Sequence, residues 1–166
     1  MRHARWWGSK VRQFRSYLGA RVAPGERAEL VAWLTPSELG LFDAMHVADR
    51  RHGLDVLATL RSQGVAERDV LLAGLLHDAG KGSRVGLWPR VAWSLGEAWG
   101  PWVVALASRL PGFGPALDRL RHHAELSAAL AAAAGCPART VALIRDQAAP
   151  SDPLYGELLR LADEAN

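Results

Sequence analysis

A single cysteine, Cys136, stands in 166 residues. One thiol can make neither an internal disulfide nor a cysteine-cluster zinc site, and such sparing use suits a reducing compartment. Also missing is any run of about 18 uninterrupted apolar residues, the length a membrane-spanning helix needs. The nearest stretch, VGLWPRVAWSLGEAWGPWVVALASRL, is broken by Arg90, Glu97, Pro89, Pro101 and three glycines. Period-two alternation of apolar and polar residues does not persist over any useful length, which argues against a sheet. The start, MRHARWWGSKVRQF, lacks the continuous apolar core and small-residue cleavage site of a secretory signal. Together these absences point to an all-α, cytoplasmic protein. Acid is absent from the beginning as well. Arg2, Arg5, Lys10, Arg12, Arg15 and Arg21 all precede the first carboxylate, Glu26, although the net charge is only +3.

Nearly half of the residues are apolar (49%), so one domain with a sizeable core is expected. The basic start, residues 1–34, reads as a helical arm. Val11, Phe14 and Leu18 are spaced to dock on the core while the arginines face water. The same Arg/Trp composition suits contact with an anionic membrane or a nucleic acid, which would make the protein peripheral to the membrane. From residue 35 onward the periodicity is helical. Thr35, Pro36 and Glu38 form a capping-box start. Val56, Leu57 and Leu60 share one side of a helix that Gly64 stops. ERDVLLAGLLHDAG is apolar enough to be a central buried helix. Residues 83–118 predict two short helices, 86–97 and 101–110, followed by the turn PGFGP. Their tryptophans, Trp88, Trp93, Trp99 and Trp102, either fill the core of a helical hairpin or form a lid or wall beside a site. HHAELSAALAAAAGCP predicts a helix stopped by Gly135, and PARTVALIRDQ another. In SDPLYGELLRLADEAN, Asp152 caps, Pro153 begins a helix, and Leu154, Leu158 and Leu161 form its apolar side. Asp163 then falls in the last turn, where a carboxylate opposes the helix dipole and requires a compensating cation.

The chemistry centres on LLAGLLHDAGKGS. A greasy helix ends on His77 and Asp78, adjacent residues whose side chains diverge by about 100° and converge only on an object beyond the helix end. A small divalent ion fits that description. Imidazole nitrogen with carboxylate oxygen suits Mn, Fe, Co, Ni or Zn better than Mg. Two ligands are too few, and His46, Asp49, His52, His122, His123, Asp146 and Asp163 are the candidates for the rest.

The ordered segments RRHGLDVLATL, LLAGLLHDAGKG, HHAELSAALAAAAG and LLRLADEAN resemble the HD superfamily of metal-dependent phosphohydrolases over residues 35–166. The resemblance implies an HD-like helical bundle with one divalent ion held by His52, His77, Asp78 and Asp163. It implies that Asp78 also takes a proton from the attacking water. His52 fits the family's H-x-x-x-V form through HGLDV and is favoured over His46, with Asp49 three residues away to orient its ring. Some members bind a second metal through two further histidines. HHAEL offers His123 or His122 for one, but the other place reads LIRDQ, with Asp146 and Gln147, so one ion per chain is expected. His123 is then left to contact substrate phosphate, to donate a proton, or simply to start a helix. Lys81 follows across AGKG, either neutralising a phosphate or lying on the surface. The alarmone-hydrolase acidic pair and the cyclic-dinucleotide GYP element are both absent, so a nucleotide or another small phosphate ester is the expected substrate. The alternative is a catalytically silent module that binds metal and nucleotide as a sensor or scaffold.

Overall fold

Local signals in the sequence account for the first elements of the computed structural model, which describes residues 19–166. Helix α1 (Pro24–Val31) begins on a proline, and Glu26 accepts a hydrogen bond from the Ala23 amide at 2.8 Å. Helix α2 (Pro36–Ala44) has the expected capping box. The Thr35 hydroxyl accepts from the Glu38 amide, and the Glu38 carboxylate accepts from the Thr35 amide. Helix α3 (Val47–Ser62) ends just before Gly64, whose φ of 85° reverses the chain. Helix α4 (Arg68–Leu76) follows, then one turn of 3-10 helix (Ala79–Lys81). Helices α5 (Leu87–Trp99), α6 (Pro101–Ala107) and α7 (Phe113–Arg121) make a subassembly. The chain closes with α8 (His123–Ala133), α9 (Ala138–Arg145) and α10 (Gly156–Ala165). The described residues contain no strand, so the architecture is all-α.

Helix α4 is the centre. Every residue from Val70 to Leu76 is buried, because α3, α9, α10 and α2 surround it. Leu54, Val56, Leu57 and Leu60 of α3, Ile144 of α9 and Leu159 of α10 supply much of the surrounding core. The alanine-rich α8 adds Ala128 and Ala131, small enough for close packing. Leu30 and Leu34 also belong to this core. The helical body therefore includes residues 24–34, which the sequence assigned to the basic arm. The expected docking residues of that arm, Val11, Phe14 and Leu18, lie outside the described residues.

Three further details differ from the sequence reading. The tryptophans of residues 83–118 do not fill the core: Trp88, Trp99 and Trp102 are 69%, 52% and 60% exposed. The second apolar cluster has only Val85, Leu117 and Leu120 fully buried, and of the four indoles only Trp93 packs against it. The turn after α6 is also shorter than PGFGP suggested, since Gly112, at φ 79°, lets α7 begin at Phe113. At the other end, Asp152 does cap, its carboxylate accepting from the Leu154 and Tyr155 amides. Residues 153–155 form only a turn, however, and α10 begins at Gly156. The helix is consequently phased on Leu159 and Ala162. Leu154 and Leu161 face outward, and Leu158 packs only partly.

Glu38 is a buried carboxylate with a structural task. Besides closing the capping box it accepts a 2.6 Å hydrogen bond from Arg68 at the start of α4, so it joins two helix N-termini. Glu38→Ala removes both bonds and is expected to cost about 2 kcal/mol in urea unfolding, whereas Arg68→Ala, whose side chain is 40% exposed, costs less. Equal losses from the two variants would place the contribution in the ion pair rather than in the cap.

Candidate metal centre

Two close backbone approaches assemble the site. The first is at Gly53, where a Cβ would stand 2.4 Å from the Leu75 carbonyl oxygen of α4. Only glycine lets α3 approach α4 this closely, and the neighbouring residue, His52, is thereby brought to His77, with ring centroids 5.2 Å apart. The second is at Gly80, where a Cβ would stand 2.3 Å from the His123 carbonyl oxygen and 2.5 Å from the Ser127 amide nitrogen. The Gly80 N–H donates to Ser127 Oγ at 2.8 Å, fixing the loop after α4 to the first turn of α8.

His77 ends α4, and Asp78 follows it into the 3-10 turn. His52 projects from α3 and Asp163 from α10, one turn beyond Leu159 on the helix face that meets the core. His52 Nε2 lies 2.7 Å from Asp163 Oδ1, a contact across 111 positions of sequence. His77 Nε2 lies 3.3 Å from the same oxygen and 3.6 Å from Asp78 Oδ1. One ligand atom each from His52, His77 and Asp163 can be chosen so that all lie within 4.8 Å of one another. Asp78 stands beside this trio rather than within it, because its other oxygen is drawn to Lys81 Nζ at 2.6 Å. These contacts place two imidazoles beside the carboxylate that opposes the dipole of its own helix.

The polar accounting shows what is unfinished. His77 Nδ1–H donates to the Gly74 carbonyl at 2.9 Å, which leaves Nε2 to face inward. That Nε2 and Asp78 Oδ1 are both buried without an aligned hydrogen-bond partner. Buried polar atoms are seldom left so. Two such atoms of opposite chemical kind, aimed at one place beside His52 and Asp163, fit a divalent ion, and the nitrogen and oxygen donors suit a borderline metal. Burial disfavours charge on the His77 imidazole, but Asp78 and Asp163 outweigh it and raise its pKa to about 9. Burial likewise opposes ionisation of both carboxylates. Lys81 and His77 hold Asp78 well below the usual carboxylate range, and His52 and His77 do the same for Asp163.

The remaining expected residues take distinct places. His123 opens α8, donates Nδ1–H to the Leu120 carbonyl at 2.7 Å, and points Nε2 to within 3.8 Å of Asp78 Oδ1. Burial, with Lys81 nearby, lowers its pKa, so it is neutral near pH 7 and Nε2 is an acceptor. Gln147 donates to that nitrogen at 3.1 Å. Its neighbour Asp146 instead accepts a hydrogen bond from Ser151. His122 is half exposed beside Asp118 on the preceding helix. His46 caps α3, accepting from the Ala48 amide, and is not one of the trio. Asp49 does not orient His52 as expected. Both of its oxygens bind Arg90 of α5 at 2.7 Å, tying the tryptophan-bearing hairpin to the helix that carries His52.

No family model, curated protein or solved structure matches this chain.

Gln147, Ser127 and Arg90 were not assigned to the site from sequence. Gln147 stands where a second-metal histidine was sought, which was the one available signal. Ser127 and Arg90 carry none, since their partners are 47 and 41 residues away.

Gly53→Ala should push α3 away from Leu75. A loss of about 1–3 kcal/mol in stability is expected, together with weaker Mn or Zn binding by calorimetric titration, because His52 moves with the helix. Unaltered metal affinity would show that the trio does not depend on this approach. A pH dependence follows from His77. Its pKa is raised in the folded chain, so its contribution is complete below about 6.5, the usual histidine value, and is lost as pH rises through about 9. The chelator-treated protein should therefore lose on the order of 3 kcal/mol across that window. A bound divalent ion would displace the proton, so metal should stabilise the protein more at the alkaline end. Thermal melts at stepped pH, with and without metal, test both signs.

Proposed function

We propose that this chain is an HD-type metal-dependent phosphohydrolase acting on a nucleotide or another small phosphate ester. The observation that carries the reading is the convergence of two unpartnered buried atoms, His77 Nε2 and Asp78 Oδ1, beside His52 and Asp163. The order of segments that resembles the HD superfamily names these same four residues. Asp163 is 40% exposed, so the centre has one edge toward solvent.

A divalent ion held by His52, His77, Asp78 and Asp163 would supply a Lewis acid for a phosphoryl oxygen and lower the pKa of its water. The chain's own groups divide the remaining work. Asp78 is kept ionised by Lys81, so Oδ1 is ready to accept a proton from the attacking water. Burial opposes the Lys81 ammonium, but Asp78 and Asp49 outweigh it and raise its pKa, so the residue stays cationic and faces incoming phosphate. The neutral His123 ring is engaged at both nitrogens, its Nδ1–H by the Leu120 carbonyl and its Nε2 by the Gln147 amide, so it accepts from substrate only when Gln147 gives way. Gln147 fixes the ring from the other side.

Metal-loaded protein should hydrolyse a chromogenic phosphodiester or members of a mixed nucleotide panel. His77→Ala and Asp78→Ala should each cut turnover at least about a hundredfold while leaving the far-ultraviolet circular dichroism helical. Lys81→Ala should raise KM and also lower kcat, because Asp78 loses the cation that keeps it ionised. Nucleotide binding without turnover by any preparation would favour the sensor or scaffold alternative. Near-normal turnover in either ligand variant would place the chemistry elsewhere.

A further inference from the structure

Nine large apolar side chains are exposed among the described residues. Five of them, Trp88, Trp99, Trp102, Leu106 and Leu110, fall on α5, α6 and the turn that follows. Single apolar residues scattered over a surface are ordinary, whereas a concentration marks an interaction site. Among the described residues, the rest of the protein buries little of the hairpin. Helix α5 buries only Gly96 and α6 buries no residue, and the pair leans on α7 through Trp93 and Val104. Trp88 and Trp99, three turns apart, share one stripe of α5, and Trp102 and Leu106, one turn apart, share one stripe of α6.

The charge around this apolar surface is mainly positive. Between residues 84 and 121 there are five arginines and two acids, Glu97 and Asp118. Arg90 is committed to Asp49. Arg84, Arg109, Arg119 and Arg121 are exposed, and none makes an ion pair with another described residue. Two helices of 13 and 7 residues are too short to cross a bilayer, and no described helix is long and apolar enough to do so. They are suited to lying in its surface. The Trp102 indole N–H already donates to the Trp99 carbonyl at 2.9 Å, so the ring can enter an apolar medium without stranding a donor. Exposed Trp and Leu flanked by Arg side chains without an acidic partner is the composition of an interfacial anchor, and the excess of positive charge complements lipid phosphates.

We propose that the α5–α6 hairpin docks on the surface of an anionic lipid bilayer. The tryptophans and leucines enter the headgroup–acyl boundary, and the four unpaired arginines meet lipid phosphates. The proposal rests on this surface and not on the hydrolase reading. The Arg90–Asp49 fork links the docked hairpin to α3 and therefore holds the metal centre at a set distance from the bilayer.

The full-length protein is mixed with vesicles of phosphatidylcholine alone or with phosphatidylglycerol and sedimented. Wild type should pellet with the anionic vesicles, less at high salt, and remain in solution with the neutral ones. The triple variant W102S, L106S, L110S should lower the partition coefficient at least about tenfold, with circular dichroism and metal content unchanged. R109E with R121E should weaken anionic-vesicle binding. A third variant, with Arg2, Arg5, Arg12 and Arg15 replaced by Ser, separates the hairpin from the basic arm and should retain most of the binding. Failure of wild type to pellet would overturn the proposal. So would undiminished binding of the triple variant, which would assign the contact to the arm. A concentration-dependent dimer lost in the triple variant, with no vesicle binding, would assign the face to a second copy of the chain.

Discussion

The contact on which the site depends is between two backbones, at Gly53 and the Leu75 carbonyl. Helix α4 is buried along nearly its whole length, so its position is set by the core. Helix α3 can bring an imidazole to the end of α4 only by lying almost in contact with it. A Cβ at residue 53 would hold the helices apart by an amount that side-chain rotation could not recover, because the obstacle is a carbonyl oxygen in the opposing main chain. The core thus supplies the force, the glycine supplies the proximity, and His52 and His77 meet as a result. Gly80 performs the corresponding task for α8, bringing His123 to Asp78.

Electrostatics then opposes what packing has gathered. Asp78 and Asp163 are carboxylates in a largely desolvated setting, and burial alone would neutralise them. Lys81 answers one and the two imidazoles answer the other. The same arrangement leaves His77 Nε2 and Asp78 Oδ1 without aligned partners. Close packing and incomplete hydrogen bonding thus coincide in one small region, where the donors could hold a metal ion. Glu38 is the contrast within the same molecule. It is equally buried, but its carboxylate is satisfied by Thr35 and Arg68, and it holds two helices together without inviting anything else.

What could be read from sequence follows the range of each interaction. The capping box at Thr35, the stops at Gly64 and Gly135 and the burial of residues 70–76 depend on neighbours along the chain, and the helical outline was therefore legible. His77 and Asp78 were legible as an oddity because an imidazole and a carboxylate conclude an apolar run. The meeting of His52 with Asp163 was accessible only through the resemblance, since nothing local relates positions 111 apart. The place of the tryptophans was left between core and wall because composition does not say which face of a helix an indole occupies. The last helix was misphased because Asp152 and Pro153 gave a good start signal, but one that opened a turn instead of the helix.

The histidines carry a further consequence. His77 and His123 are each oriented by a carbonyl three residues earlier, belonging to Gly74 and Leu120. Those carbonyls lie at the ends of α4 and α7, where the helix leaves acceptors without partners. The tautomer of each ring is thus written in main-chain atoms that every amino acid possesses. Side-chain replacement at position 120 would leave its carbonyl in place, and at position 74 the limit on replacement comes from Leu60 rather than from the histidine. The proton arrangement at the candidate site is accordingly shielded from point mutation. It can drift only if the helix ends themselves are redrawn, so its inheritance is tied to the fold and not to any one codon.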